Sequence, residues 1–185
     1  LNSKDTQLTK KYCKQGAIFF SFASNKALAK DCIYLVNFFP ENEIDIMFDY
    51  FPDDSKVALL YPENKYGFRI NRIVDAVANE SSSIIVNRSS YKEDLSNATI
   101  AIKELGKYNL RKYELNRQKK ILAGKKDDAS KKRLMKLEKF QTTKDFDFTH
   151  LIIADYGIRL LQVAPLLTYY DIDPEIVQFV GTGAW

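Results

Sequence analysis

A chain of 185 residues, 45% hydrophobic and 28% charged, has ordinary globular composition and is long enough for one domain with a sizeable core or for parts of two. It has no run of 18 or more apolar residues that would mark a membrane-spanning helix, and Leu1 does not open a signal peptide, which leaves open a leader removed from a longer product. The net charge of +4 is uneven: residues 103–144 hold 15 Lys/Arg against 5 Asp/Glu (+10), and the remainder 13 against 19 (−6).

Residues 1–15 are polar and lysine-rich, with Leu8 and Tyr12 at helical spacing, and read as the end of a helix. After Gly16, the apolar run Ala17 to Phe22 predicts a buried strand, and Ile33 to Phe38 predicts a second. Phe39-Pro40 stops it, because proline cannot donate to a ladder. Ile44, Met47, Phe48 and Phe51 then share one face of a helix over about 41–51.

Val57 to Tyr61 is a short apolar run suited to a buried strand, closed by the turn Pro62-Glu63-Asn64. From Tyr66, the residues Phe68, Ile70, Ile73, Val74 and Val77 recur at helical spacing. Strand, turn and helix make half of a βαβ unit, and in such sheets ligands gather at the carboxyl ends of the strands. Ser82 to Asn87 predicts a further strand, Ser89 to Asp94 a polar loop, and the chain from Leu95 a helix that weakens past Gly106. Gly124 to Asp128 breaks the charged segment, and Ala129 to Phe140 continues it as a second helix of a projecting hairpin. Phe148 to Asp155 returns to strand character, Tyr156 to Tyr170 is helical with Pro165 expected to bend or restart it, and Ile176 to Val180 predicts a last strand before Gly181-Thr182-Gly183.

Few residues suggest chemistry. The single histidine, His150, lacks a neighbouring nucleophile pattern, and phosphate-binding glycine motifs are absent from the sequence. Cys13 and Cys32 lack CxxC spacing, which argues against a zinc site. Each cysteine precedes a strand of the first pair, so both belong at one sheet edge, either bonded or as two buried thiols. The basic hairpin would supply phosphate affinity, but aromatic interleaving is thin and no recognition motif accompanies it. It is read as a surface for a protein or an anionic envelope, and nucleic acid is not expected as a partner.

The segments AIFFSFASN, IYLVNFFPENE and VALLYPENKYGFRINRIVDAV resemble the type I periplasmic binding proteins of the leucine-binding kind. With the charged hairpin and the tail THLIIADYGIRLLQVAPLLTYYDIDPEIVQFVGTGAW, the chain is most similar to alphaproteobacterial penicillin-binding protein activators. The resemblance implies an α/β fold of parallel, doubly wound sheets in two lobes with an inserted helical hairpin, in a fragment of a longer protein. Residues 1–40 would be the end of lobe one and the hinge, and 41–185 most of lobe two, with the insert at 106–145.

The resemblance further implies a ligand cleft. Ala23, Ser24 and Asn25, with Ser21 nearby, match the positions that hold a ligand carboxylate; Tyr66 matches an aromatic that leans into the cleft. Where amino-acid binders carry a carboxylate for the ligand's ammonium group, this chain has Gly183, and Asp155 is the candidate substitute. Tyr156 and Thr182 complete the set. These strand ends would deliver one acid and no nearby Lys or Arg clamp. The bland alternatives stay open: Asp155 as a helix cap, and Tyr66 in a helix–sheet seam. No catalytic residue, cofactor or metal is expected. The implied function is a non-catalytic envelope regulator of cell-wall synthesis, with a solute receptor of an ABC transporter as the alternative. The implied partners are a small polar ligand and a cell-wall synthase or ABC permease. The implied location is the periplasm, with lipid anchoring of the full-length protein left open.

Overall fold

The computed structural model describes residues 9, 12, 13, 15–23, 25–29 and 31–185. The chain divides into two compact units, Leu1–Ile46 and Met47–Trp185. The expected helix end in 1–15 lies largely outside the described residues.

In the first unit, β1 (Phe19–Ser21) and β2 (Ile33–Leu35) pair in parallel, with Phe19 opposite Ile33 and Ser21 opposite Leu35. Both strands are shorter than their apolar runs, and Phe20, Phe22, Tyr34 and Phe38 are exposed. A 3-10 turn, Lys26–Leu28, follows β1, and the Asn25 side chain caps it by accepting the Ala27 amide at 3.1 Å. Cys13 and Cys32 form a disulfide with Cα atoms 5.5 Å apart, which resolves the open question about the thiols. The bond sits at the edge where both strands begin, and its 19-residue separation corresponds to about 3 kcal/mol of chain-entropy stabilisation.

Helix α1 (Pro40–Tyr50) leads into the second unit, whose elements are β3 (Lys56–Pro62), α2 (Lys65–Ala78), β4 (Ile84–Tyr91), α3 (Ala98–Leu105), α4 (Tyr108–Ala123), α5 (Asp128–Glu138), β5 (His150–Ile153), α6 (Gly157–Tyr169) and β6 (Gln178–Val180). The sheet is parallel throughout, in the order β4-β3-β5-β6. The chain leaves β3 for the β4 edge and returns across β3 to β5. Because parallel crossovers are right-handed, α2 lies on one face and α3 with α6 on the other. Ala58, Leu60, Leu151 and Ile153 pack with Ala101, Ile102, Val163 and Leu167 on the second face. Alternate strand residues Val57, Leu59, His150 and Ile152 are buried on the first, where the His150 ring meets Phe51 at 4.3 Å. Strands buried on both faces need continuous apolar sequence, so the α/β class with doubly wound parallel strands was readable from the runs.

Three local expectations change. β4 extends through Tyr91, taking in part of the expected polar loop. It is the sheet edge and bulges where Ala58 pairs Asn87 instead of Val86, which suits its exposed, polar side chains. The following helix begins at Ala98, since Leu95 has φ 62 and cannot be helical. α6 runs on through Pro165, so the proline does not restart the helix; it costs the carbonyl of residue 161 its donor, and Leu161 is on an exposed side of the helix.

The hairpin α4–α5 is tied down at its root. Arg111 is only 4% exposed and donates to the carbonyls of Gly106 (2.6 Å), Thr143 (2.8 Å) and Tyr170 (3.2 Å) and to Thr142 Oγ1 (2.9 Å). Its guanidinium also lies 4.2 Å from the centre of the Phe146 ring. Burial pulls its pKa down, with Asp171 as the main opposing charge.

Candidate functional site

The switch in strand order falls between β3 and β5, which makes the carboxyl edge of the second unit's sheet the place to look for a ligand site. β3 delivers Pro62, and Asn64 then caps α2 by accepting the Gly67 amide at 2.9 Å. Gly67 is required here: a Cβ would stand 2.0 Å from the Pro62 carbonyl oxygen, so only glycine lets the helix start this close to the strand. That contact fixes Tyr66 at the edge. Its hydroxyl shares a 2.6 Å hydrogen bond with Thr182 Oγ1 beyond β6, and its ring meets Tyr156 edge-on at 5.1 Å. Thr182 is buried and Tyr156 is 44% exposed.

Gly181 plays the matching part for β6. A Cβ there would fall 1.8 Å from the Trp185 indole, which instead lies over the backbone and donates Nε1–H to the Ile153 carbonyl at 3.0 Å. GTGAW is therefore a closure: the glycine admits the indole, and the indole caps the end of β5.

Asp155 lies at the centre, fully buried and fully engaged. One carboxylate oxygen accepts the Tyr156 amide (2.8 Å) and Arg159 Nη2 (3.0 Å); the other accepts the Tyr91 hydroxyl (2.6 Å) and Arg159 Nε (3.1 Å). Burial first, then the bond to Asp155, pushes the Tyr91 pKa above the ordinary tyrosine range, which keeps the hydroxyl a donor. The same carboxylate raises the Arg159 pKa. Arg159 Nη1 reaches outward, 3.9 Å from Glu93, whose Oε1 also accepts Asn64 Nδ2 at 2.9 Å.

The expectation of an acid without an arginine clamp is thus corrected. Arg159 follows Asp155 by four residues, one helical turn, and α6 carries it back onto the carboxylate. An ammonium group would have to displace Arg159 or Tyr91 to use Asp155. That spacing was visible in the sequence. Tyr91, 64 residues away, was not, because the edge strand that carries it reads as a loop.

Of the anticipated residues, Tyr66, Asp155, Tyr156 and Thr182 come together in the second unit. Ser21, Ala23 and Asn25 belong to the first unit, where Ser21 is buried and its Oγ accepts the Ala23 amide at 3.2 Å. Ser24 lies outside the described residues. Among the described residues, no group of three or more His, Cys, Asp or Glu side chains is arranged to hold a metal ion. No helix formed by them is long and apolar enough to cross a membrane.

No family model and no curated protein sequence matches the chain. Among solved structures it is similar to a substrate-binding periplasmic protein from Ralstonia solanacearum, with 12% identity and a TM-score of 0.49 over 98% of this chain. The chain spans 42% of the length of that protein.

Proposed function

We propose that the chain is part of a non-catalytic, periplasmic-binding-protein-like module of the cell envelope that acts through its surface on a cell-wall synthase, in the manner of the penicillin-binding protein activators it resembles in sequence. One observation carries this reading over a receptor for amino acids: the Asp155 carboxylate is already shared by Arg159, Tyr91 and the Tyr156 amide, and the position that would supply an alternative acid is Gly183. A bare ammonium buried at such a site costs several kcal/mol. The Cys13–Cys32 bond supports a periplasmic location, since structural disulfides persist in oxidising compartments.

The alternative is a receptor, served by an ABC permease, for a small polar solute. It is favoured by the aromatic, hydroxylated edge of the second unit, where Tyr66 meets Tyr156 and Thr182. A thermal-shift screen of the full-length protein against amino acids and cell-wall fragments separates the two readings, because a ligand of the native state raises Tm by mass action. The regulator reading predicts no shift with amino acids and stimulation of a purified synthase; a saturable shift with a free amino acid, without effect on the synthase, would favour the receptor.

A further inference from the structure

Two helices present faces of opposite charge that the fold leaves uncovered. On α1, Asn42, Asp45, Ile46, Asp49 and Tyr50 are exposed at helical spacing, opposite the side that buries Ile44 and Phe48. Residues 40–54 hold six acids and no Lys or Arg. Neither Asp45 nor Asp49 is in an ion pair among the described residues.

On α4, Leu110, Tyr113, Arg117 and Ile121 form an exposed stripe opposite the side that buries Arg111 and Leu115. Residues 108–138 carry 11 Lys/Arg against 4 Asp/Glu, a net +7. Lys120, Lys125, Lys126, Lys132 and Lys136 make no ion pair among the described residues. The apolar stripe is too narrow, and too interrupted by charge, for a helix that lies in a lipid interface.

We propose that the protein associates with a second copy of itself, the α4 stripe of one copy docking on the acidic α1 face of the next. Each face supplies apolar anchors, Tyr113 and Ile121 against Ile46 and Tyr50, within a charged rim of complementary sign. The two faces differ, so the contact is heterologous and leaves one of each unpaired, which permits short head-to-tail chains. One helix on another makes a small, transient contact, below about 1,200 Å² in total.

Sedimentation velocity of the full-length protein over a concentration series tests this contact, with two charge-reversed variants at exposed positions, Arg117→Glu with Lys120→Glu, and Asp45→Lys with Asp49→Lys. Wild type should show a weight-average mass that rises with concentration at about 0.02 M salt and falls to the monomer value above about 0.5 M, where screening acts within a few ångström. Each variant alone should self-associate at least about tenfold more weakly, since like charges now face each other. An equimolar mixture of the two should recover association, because each variant offers a face complementary to the other. Circular dichroism melts check that both are folded. Wild type that stays monomeric at low salt overturns the proposal whatever the variants do. So does association that survives both reversals, or a mixture of folded variants that fails to associate.

Discussion

Tyr91 and Asp155 are joined across the sheet: the hydroxyl of the last residue of β4 donates to the carboxylate that follows β5, at 2.6 Å. With Arg159 on the same carboxylate, the edge strand, an inner strand and the first turn of α6 share one buried acceptor. Asp155→Asn should therefore destabilise the second unit by about 3 kcal/mol, as expected when one member of a buried charged pair is lost. Tyr91→Phe, which leaves the pair with Arg159 intact, should cost about 1 kcal/mol. Urea unfolding of the two variants checks the ranking; equal and negligible losses would mean that the network contributes little.

The two edge glycines should differ in cost although both are close-packed. A methyl group at Gly67 meets backbone, so Gly67→Ala should cost about 3 kcal/mol or more and displace Tyr66. At Gly181 the obstacle is the Trp185 side chain, which can swing away. Gly181→Ala should cost less and shift the emission of Trp185, the only tryptophan, toward that of a solvated indole. Fluorescence and denaturant titration of both variants report this directly.

Arg111 should hold the hairpin root to the body. Arg111→Ala leaves the carbonyls of Gly106, Thr143 and Tyr170 without their donor and should cost about 3 kcal/mol. Arg111→Lys should recover little, because one ammonium cannot span acceptors arranged around a planar guanidinium. Hydrogen exchange at 106–145 is the readout, with faster exchange expected in both variants and little change in β3 or β5.

His150 should make stability fall on mild acidification. Burial holds its pKa below the ordinary 6.5, so the folded state disfavours the proton that the unfolded chain accepts. Its contribution is fully present above about pH 6.5 and is lost as pH falls from there toward the folded value. His150→Phe, which keeps a ring against Phe51, should flatten that part of the pH–stability curve; an unchanged slope would place its origin elsewhere.

What the sequence disclosed follows the reach of each interaction. Val57 to Tyr61 and Leu151 to Ile153 announce themselves because a parallel strand buried on both faces must be apolar at every position. Ser89 to Tyr91 does not, because an edge strand is open to water, so its strand character is set by pairing with β3 and not by its own composition. The YG and GTGAW motifs were visible as motifs, but the reasons for their glycines, Pro62 behind Gly67 and Trp185 over Gly181, exist only once the chain is folded. Arg111 reads as one more charge in a basic run; its partners lie up to 60 residues away. Arg159 is the opposite case, a local i,i+4 pair with Asp155 that spacing alone could reveal.

Calorimetric titration of the full-length protein with leucine, alanine and glycine tests the central claim most directly. If Asp155 serves Arg159 and Tyr91 and the protein is a surface-acting regulator, none of the three should bind at micromolar or tighter affinity. Sub-micromolar binding of any of them would contradict the account and establish the receptor reading in its place.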